Sequence, residues 1–576
     1  MDARRIRRKQ PRATAARDRV FALHRLRQQV ENPGPYRSSV IRGAHFLRVV
    51  VMEKQTTRVP FGIGFVLALT CLPATVTPVR AVTIQVTTSA DEQVTPNGNC
   101  TLREALVAAE TNSDIDACPS GSAVEPDVIL LLDTAHAWSA GFYIVLGGGP
   151  LVLRGPDPAP KGCYVIVDPT ASLRFLKLTN GADVTIENCE IREGDASTDQ
   201  NVAAGGALLA IDLSDVKLTL RNVSFRLNRA RAGGAVYFET SSSCVGCRIT
   251  IEDSLFSQNV AEYDAGAFGV RGGGLVLQLR GDTVARILDT TFEWNEARSD
   301  FAGNQPTAGA FYAGLSDEAR LEFRRSSIVS NSAVAGVGAS AVAGGASIWP
   351  FGESSVIMED IDLQANQLVG PSTGALPATA LEVRTGFSGS YALDRLYFYG
   401  NDWSEDAVDL RLEHASPAPA SARNILLAAG PRSAAEVWNW GTGPIALSHW
   451  TVTDHIERGL RIWRNSGTGE VRLDNSILWL NGTNLVADGF PTVDPANNLI
   501  GVNPLFEAPA LGGYRLTAAS PAVDLGEAAR SGSAYDVAHA PRLAGADPDA
   551  GAFERGGLFA DGFESADTGA WSAAAP

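Results

Sequence analysis

The chain has 576 residues and a mass of 60.8 kDa, more than one compact core normally holds, so it is either several globular domains or one elongated repeat. Hydrophobic residues at 45% and charged residues at 19% exclude wholesale disorder, and 57 aperiodic glycines exclude collagen. Residues 1–51 hold 13 Lys+Arg against 3 Asp+Glu and residues 52–81 hold 3 against 1; a formal net charge of −16 therefore leaves −28 on residues 82–576, a field that repels a phosphate backbone and argues against nucleic acid as a partner.

Residues 1–51, with Arg4, Arg5, Arg7, Arg8 and Lys9, read as a disordered leader or as the product of a start codon placed too far upstream of Met52. Residues 52–81 have the layout of a secretory signal peptide. Lys54 and Arg58 are followed by an apolar stretch from Val59 to Leu72, and small residues precede a cut after Ala81. The apolar stretch is too short for a comfortable membrane span, so no transmembrane span is expected in the mature chain. Export predicts disulfides among the six remaining cysteines. Sequence order pairs Cys100 with Cys118, Cys163 with Cys189 and Cys244 with Cys247.

Residues 82–181 are expected to form an N-terminal cap and the first coils. Thr101 and Glu104 fit a capping box, and Leu102, Ala105, Leu106 and Ala109 make one apolar face, which predicts a short helix over the solenoid end. Arg103 and Glu104 are assigned to helix surface and cap, not to catalysis. Cys100-Thr-Leu-Arg-Glu-Ala105, preceded by Val86-Thr-Thr-Ser-Ala-Asp91, is similar to the CSLREA domain of secreted bacterial β-helix proteins. The resemblance implies no activity.

Residues 182–500 are dominated by a repeat. Leu220-Arg-Asn222-Val-Ser-Phe225-Arg-Leu-Asn228 returns around Asp253, Phe256 and Asn259, then Asp289, Phe292 and Asn295, and again with Ile328–Asn331, Leu363–Asn366 and Phe398–Asn401. The Asn steps are 31, 36, 36, 35 and 35 residues. Weaker copies end at Gly194, Gly430, His455 and Asn481. Apolar alternation with period two marks strands, and no repeat contains a run of helical periodicity long enough for a helix. A second element follows each Asn, as in Gly233-Gly-Ala-Val-Tyr-Phe238, Ala265-Gly-Ala-Phe268 and Gly344-Gly-Ala-Ser-Ile348. The fold class expected is therefore all-β, a right-handed parallel β-helix with one short N-terminal capping helix; right-handedness follows from the crossover rule. The Asn column is expected to take left-handed corner geometry and to bond along the stack. Phe-x-x-Asn together with Gly-Gly-Ala-[aliphatic] resembles the repeats of polymorphic outer-membrane proteins, which are surface-exposed passengers associated with adhesion. No terminal set of amphipathic strands for a barrel is seen, so that family's anchoring is not carried over.

In residues 501–556, Asn503-Pro-Leu-Phe506, Tyr514-Arg-Leu516, Ser520–Gly526 and Asp547–Glu554 resemble the choice-of-anchor Q region that closes bacterial β-helices. Asp524, Asp549 and Glu554 could suggest calcium, but turn and capping chemistry is the expectation. Residues 557–576 read as a tail, either a sorting signal or a floppy end.

Candidate chemistry is sparse. Asp253, Asp289 and Asp360 share a column with Asn222 and Arg325, which mixes acid, amide and base too freely for a metal site. Glu252, Glu322 and Glu359 fall at scattered phases, and His136, His414, His449, His455 and His539 stand apart. No catalytic, cofactor-binding or metal-binding residue is assigned, and no cofactor is expected. The aromatics Tyr391, Tyr397, Phe398, Tyr399, Trp403, Trp438, Trp440, Trp450, Trp463 and Trp479 either stack on sugar rings or fill the core of the shorter coils. The functional expectation is an exported, secreted or cell-surface adhesin or glycan-binding structural protein. Its partners would be surface glycans or host or cell-envelope components. The alternative is a polysaccharide lyase or glycoside hydrolase acting on an acidic glycan.

Overall fold

The computed structural model describes residues 81–556 apart from 93–95, 140, 142, 146, 157–162, 169–172, 200–201, 264–268, 371–376, 402–406, 465–467, 489–491 and 494–496. The expectations for residues 1–51, 52–80 and 557–576, and for Trp403, lie outside the described residues.

The chain winds as a parallel β-helix, and three sheets run along it. Sheet 1 has 20 strands, among them Val216–Arg226, Arg320–Val329 and Ser355–Gln364. Sheet 2 has five short strands, from Arg229–Ala230 to Gln367–Val369, and sheet 3 has twelve, from Tyr143–Val145 to Thr483–Asp488. The period-two pattern sets the register. Phe225 lies over Phe256, Phe256 over Phe292, and the column continues through Ile328, Leu363, Phe398, Leu427, Val452 and Leu478. Each of these side chains is buried. Phe225, Phe256 and Phe292 stack with centroids 5.0 and 4.8 Å apart. A coil alone leaves this apolar face wet, and each buried Phe or Leu contributes on the order of 1.5–3 kcal/mol once a neighbour covers it.

The Asn column forms a continuous amide ladder. Asn228, Asn259, Asn295, Asn331 and Asn366 each donate from Nδ2 to the Oδ1 of the next, at 2.9–3.1 Å, ending at Asn401. Left-handed geometry sits one residue earlier than expected, at Leu227, Gln258, Trp294, Ser330 and Ala365, and again at the sheet 1 bend, at Asn222, Asp253, Asp289, Arg325 and Asp360. The left-handed residue turns the chain so that the following Asn points inward. There its amide replaces the sheet hydrogen bonds that the corner interrupts. Gly430 and His455 modify the ladder together. A Cβ on Gly430 would lie 2.4 Å from the His455 ring, so glycine makes room for the imidazole.

Ala265–Phe268 lies outside the described residues, and the glycine step of that coil is Gly272–Gly273, which receives the Gly234 amide on the Gly272 carbonyl at 3.1 Å. A Cβ on Gly234 would meet the Gly273 carbonyl oxygen at 2.0 Å. Backbone approach this close explains the motif.

Helix α1 (Leu102–Thr111) forms where its capping box places it. The Thr101 hydroxyl accepts from the Glu104 amide at 3.1 Å, and the Glu104 carboxylate accepts from the Thr101 amide at 3.0 Å. Leu102, Ala105, Leu106 and Ala109 are buried in the solenoid core. Arg103 pairs with Asp91 at 2.8 Å and covers Trp138.

Disulfides join Cys100 to Cys118 and Cys244 to Cys247. The third expected pair is two thiols in contact. Cys163 and Cys189 are free and buried, with their sulfurs 2.7 Å apart.

The C-terminal region packs along the flank of the solenoid. The outward column of sheet 1 reads Thr291, Ser327, Asp362 and then turns to Tyr397, Leu426, Thr451, Ile477 and Leu499. Residues 506–553 cover the latter part: Leu516, Ala522 and Ala550 pack on Ile477 and Leu499, and Tyr514 and Ala552 pack on Leu426. Residues 527–542 then follow the left-handed bend column, with Asn475 bonded to Glu527, His449 to Ser531 and Asn424 to Tyr535.

Candidate functional site

Sheet 3 turns two columns of side chains outward. One reads Tyr237, Val276, Tyr312, Ser347, Glu382, Arg411, Glu436 and Arg461 in successive coils. The other carries Glu239 and Gln278, and further along Glu413, Trp438 and Trp463. Two chemically different halves result.

In the later half, charges and indoles occupy one another. Glu382 is fully buried and accepts from Ser347 at 2.9 Å and Trp349 at 3.2 Å; Glu436 accepts from Trp438 at 2.9 Å. Burial pushes the Glu382 carboxyl up, against the opposing pull of Arg384 and Arg411. Trp438, Trp440 and Trp463 contact each other with centroids 4.5–5.6 Å apart. The carboxylates of Glu382 and Glu436 thus each have internal partners, the arginines of neighbouring coils included, although among the described residues the Trp440 Nε1 is buried without a hydrogen bond.

The earlier half holds a groove of about 510 Å³, lined by Val202, Ala203, Ala204, Ile211, Arg231, Ala232, Tyr237, Gly269, Arg271, Val276 and Gln278. The alanines and glycine leave space, and two arginines, a tyrosine and an amide supply polar groups. The Tyr237 hydroxyl donates to Glu239 at 3.0 Å, and burial followed by that carboxylate raises its pKa. The Arg231 guanidinium lies 4.3 Å over the Tyr263 ring, and that of Arg271 lies 4.8 Å over Tyr312.

The remaining expected residues separate. Asp289 is held bidentately by Arg325 at 2.8 and 2.7 Å, and Asp360 by Arg395, its nearest contact being 2.6 Å. Two steps of the mixed column, Asp289–Arg325 and Asp360–Arg395, are thus ion pairs between neighbouring coils. Glu252 and Glu359 share one column and Glu322 lies in another, each beside an arginine: Arg221 at 3.3 Å, Arg324 at 3.0 Å and Arg286 at 3.5 Å respectively. A cleft of about 300 Å³ gathers Asp360, Asp362, Arg395, Tyr397, Val537, His539 and Phe553 where the C-terminal region meets sheet 1.

The histidines each meet separate partners within the fold. His136 occupies the inner column and accepts from the Leu132 amide, His414 bonds Thr385 and the Ala418 carbonyl, and burial lowers the pKa of both. His449 is buried against Ser531, and burial holds it well below its ordinary value. His455 meets Asp409 at 3.2 Å. The carboxylates of Asp524, Asp549 and Glu554 accept backbone amides at 2.6–3.3 Å, so each serves a turn. Among the described residues no cluster of three metal-ligating side chains occurs.

Of the aromatics, Tyr391, Phe398 and Trp450 are core, and Tyr397 and Trp479 lie under the C-terminal region. Sequence reasoning missed Arg231, Tyr237, Arg271 and Gln278. The available signal was an arginine one or two residues before the Gly-Gly step in consecutive coils, followed by an outward polar residue. No family model matches this chain, and no curated protein matches it.

Proposed function

We propose that this chain is exported and acts at or beyond the cell surface as a glycan-binding, adhesive β-helix. The observation that carries the reading is the sheet 3 groove, where aromatic, amide and guanidinium groups converge among small side chains, the chemistry that stacks on and bonds to sugars. Two disulfides and the signal-like residues 52–81 support export to an oxidising compartment. Among the described residues, no helix is long and apolar enough to cross a membrane.

The test is a glycan array followed by calorimetry on the full chain, with cell fractionation for its location. Binding weakened at least tenfold by Tyr237→Ala supports the reading; absence of binding to every glycan overturns it. A second reading, lyase or hydrolase, draws on the cleft that sets Asp360 and Asp362 beside Arg395. Depolymerisation of acidic glycans, with and without calcium, that disappears in Asp362→Asn would favour it.

A further inference from the structure

This inference rests on the glycan-binding reading of the sheet 3 groove and names its ligand chemistry. We propose that the groove takes an anionic sugar, a uronate or sulfated unit, whose acid group is held between Arg231 and Arg271.

The solenoid is strongly acidic, and its arginines are characteristically matched to carboxylates in neighbouring coils. Arg221 sits between Glu187 at 3.4 Å and Glu252 at 3.3 Å, Arg298 meets Glu262 at 2.6 Å, and Arg325 meets Asp289 at 2.7 Å. Arg231 and Arg271 break that pattern. Among the described residues neither has a carboxylate within 4.0 Å, although both line the groove. Glu239, two residues beyond Tyr237, is already used by the Tyr237 hydroxyl at 3.0 Å and by Arg280 at 2.9 Å. Among the described residues, two positive charges therefore face one cavity with no carboxylate in contact with either.

Their placement suits a planar acid. The Arg231 Nε donates to the Ser197 carbonyl at 3.1 Å, which fixes one edge of its fork and leaves the terminal nitrogens for a ligand. Each guanidinium rests on a tyrosine ring, an arrangement that orients the plane without consuming donors. Ala232 pairs with Arg271 in the adjacent coil, so Arg231 lies one coil before Arg271 and one position out of register with it. Carboxylate and sulfate accept two N–H donors of one guanidinium fork bidentately. Gln278 and Tyr237 then provide an amide and a ring for the hydroxyls and the apolar face of the same sugar. Long polyanions such as nucleic acid are repelled by the surrounding acidic faces. A single acid group per sugar reaches the arginines with less of that repulsion.

The experiment is calorimetric titration of the full chain with three oligosaccharides of equal length: oligogalacturonate, its methyl ester, and a sulfated oligosaccharide. Each is measured at 50 and 300 mM NaCl. The expected result is binding of one or both anionic forms, at least tenfold weaker binding of the ester, and weakening at the higher salt. Arg231→Gln and Arg271→Gln each reduce the anionic affinity at least tenfold, and Arg271→Lys recovers only part of it. A thermal melt of each variant matching the parent excludes misfolding as the cause, and the salt and ester arms need no variant. If the ester binds as tightly as the acid, or the Gln variants bind the acid unchanged, the inference is overturned while glycan binding stands. If no oligosaccharide binds, the inference falls, and glycan binding falls with it only when the glycan array is also empty.

Discussion

Replacing Asn295 by alanine interrupts the amide ladder at its middle. The Asn295 Nδ2 donates to the Phe256 carbonyl at 2.8 Å and to Asn331 Oδ1 at 3.0 Å; its Oδ1 accepts from the Asn259 amide at 3.1 Å and from Asn259 Nδ2 at 2.9 Å. The residue is fully buried, so water does not replace these partners. Four bonds at about 1 kcal/mol each give about 4 kcal/mol, with the orphaned groups of Asn259 and Phe256 setting the upper end. Solenoids unfold locally, so the effect belongs first to the coils that hold residues 256–331. Hydrogen exchange should show the Asn259 amide losing protection by two to three orders of magnitude, with amides beyond Asn401 little changed. Urea unfolding should show the same loss as a new early transition. Protection at Asn259 within a factor of five of the parent would refute the ladder's energetic role.

Gly234→Ala puts a methyl group against the Gly273 carbonyl and should cost at least about 3 kcal/mol, read as a lowered melting temperature; an unchanged melt refutes the close approach. Glu554 is buried beside Asp549, Asp536 and Arg542, and burial raises its pKa from 4.5 to about 7. The folded state thus binds the extra proton between those values, so stability falls as pH rises from 4.5 to 7, by at most about 3 kcal/mol, and is level above. Glu554→Gln should flatten that slope in a pH series of melts, and parallel profiles refute it. His449 works in the opposite direction: burial holds it neutral, so its contribution is present above pH 6.5 and lost below, and His449→Asn should soften the acid-side decline. Intact mass under non-reducing conditions should show a third disulfide, Cys163–Cys189, after prolonged oxidation. Burial keeps the Cys189 thiol protonated, so closure is slow, and alkylation of both thiols after prolonged oxidation would refute it.

The repeat, the capping helix and the inner column follow from local chemistry. Period-two alternation with a recurring Phe-x-x-Asn leaves only stacking as a way to bury its face, and Thr101 with Glu104 closes its own cap within four residues. Such features are legible because each residue meets its own counterpart one coil away. The left-handed turn at Leu227 or Trp294 was not legible, because any side chain can face solvent at a corner whose direction is set by the buried Asn that follows. The flank docking of the C-terminal region left a trace, the change from Ser327 and Asp362 to Leu426 and Ile477, but its meaning required knowing which face those residues share. Beyond the arginines that precede the Gly-Gly steps, the groove was decided by tertiary structure. Arg231 and Arg271 lie 40 positions apart, in adjacent coils. Whether an arginine is neutralised or left open to a ligand depends on which carboxylates the winding brings beside it. Periodicity specifies what stacks within a column; only the three-dimensional path of the loops specifies what the columns face.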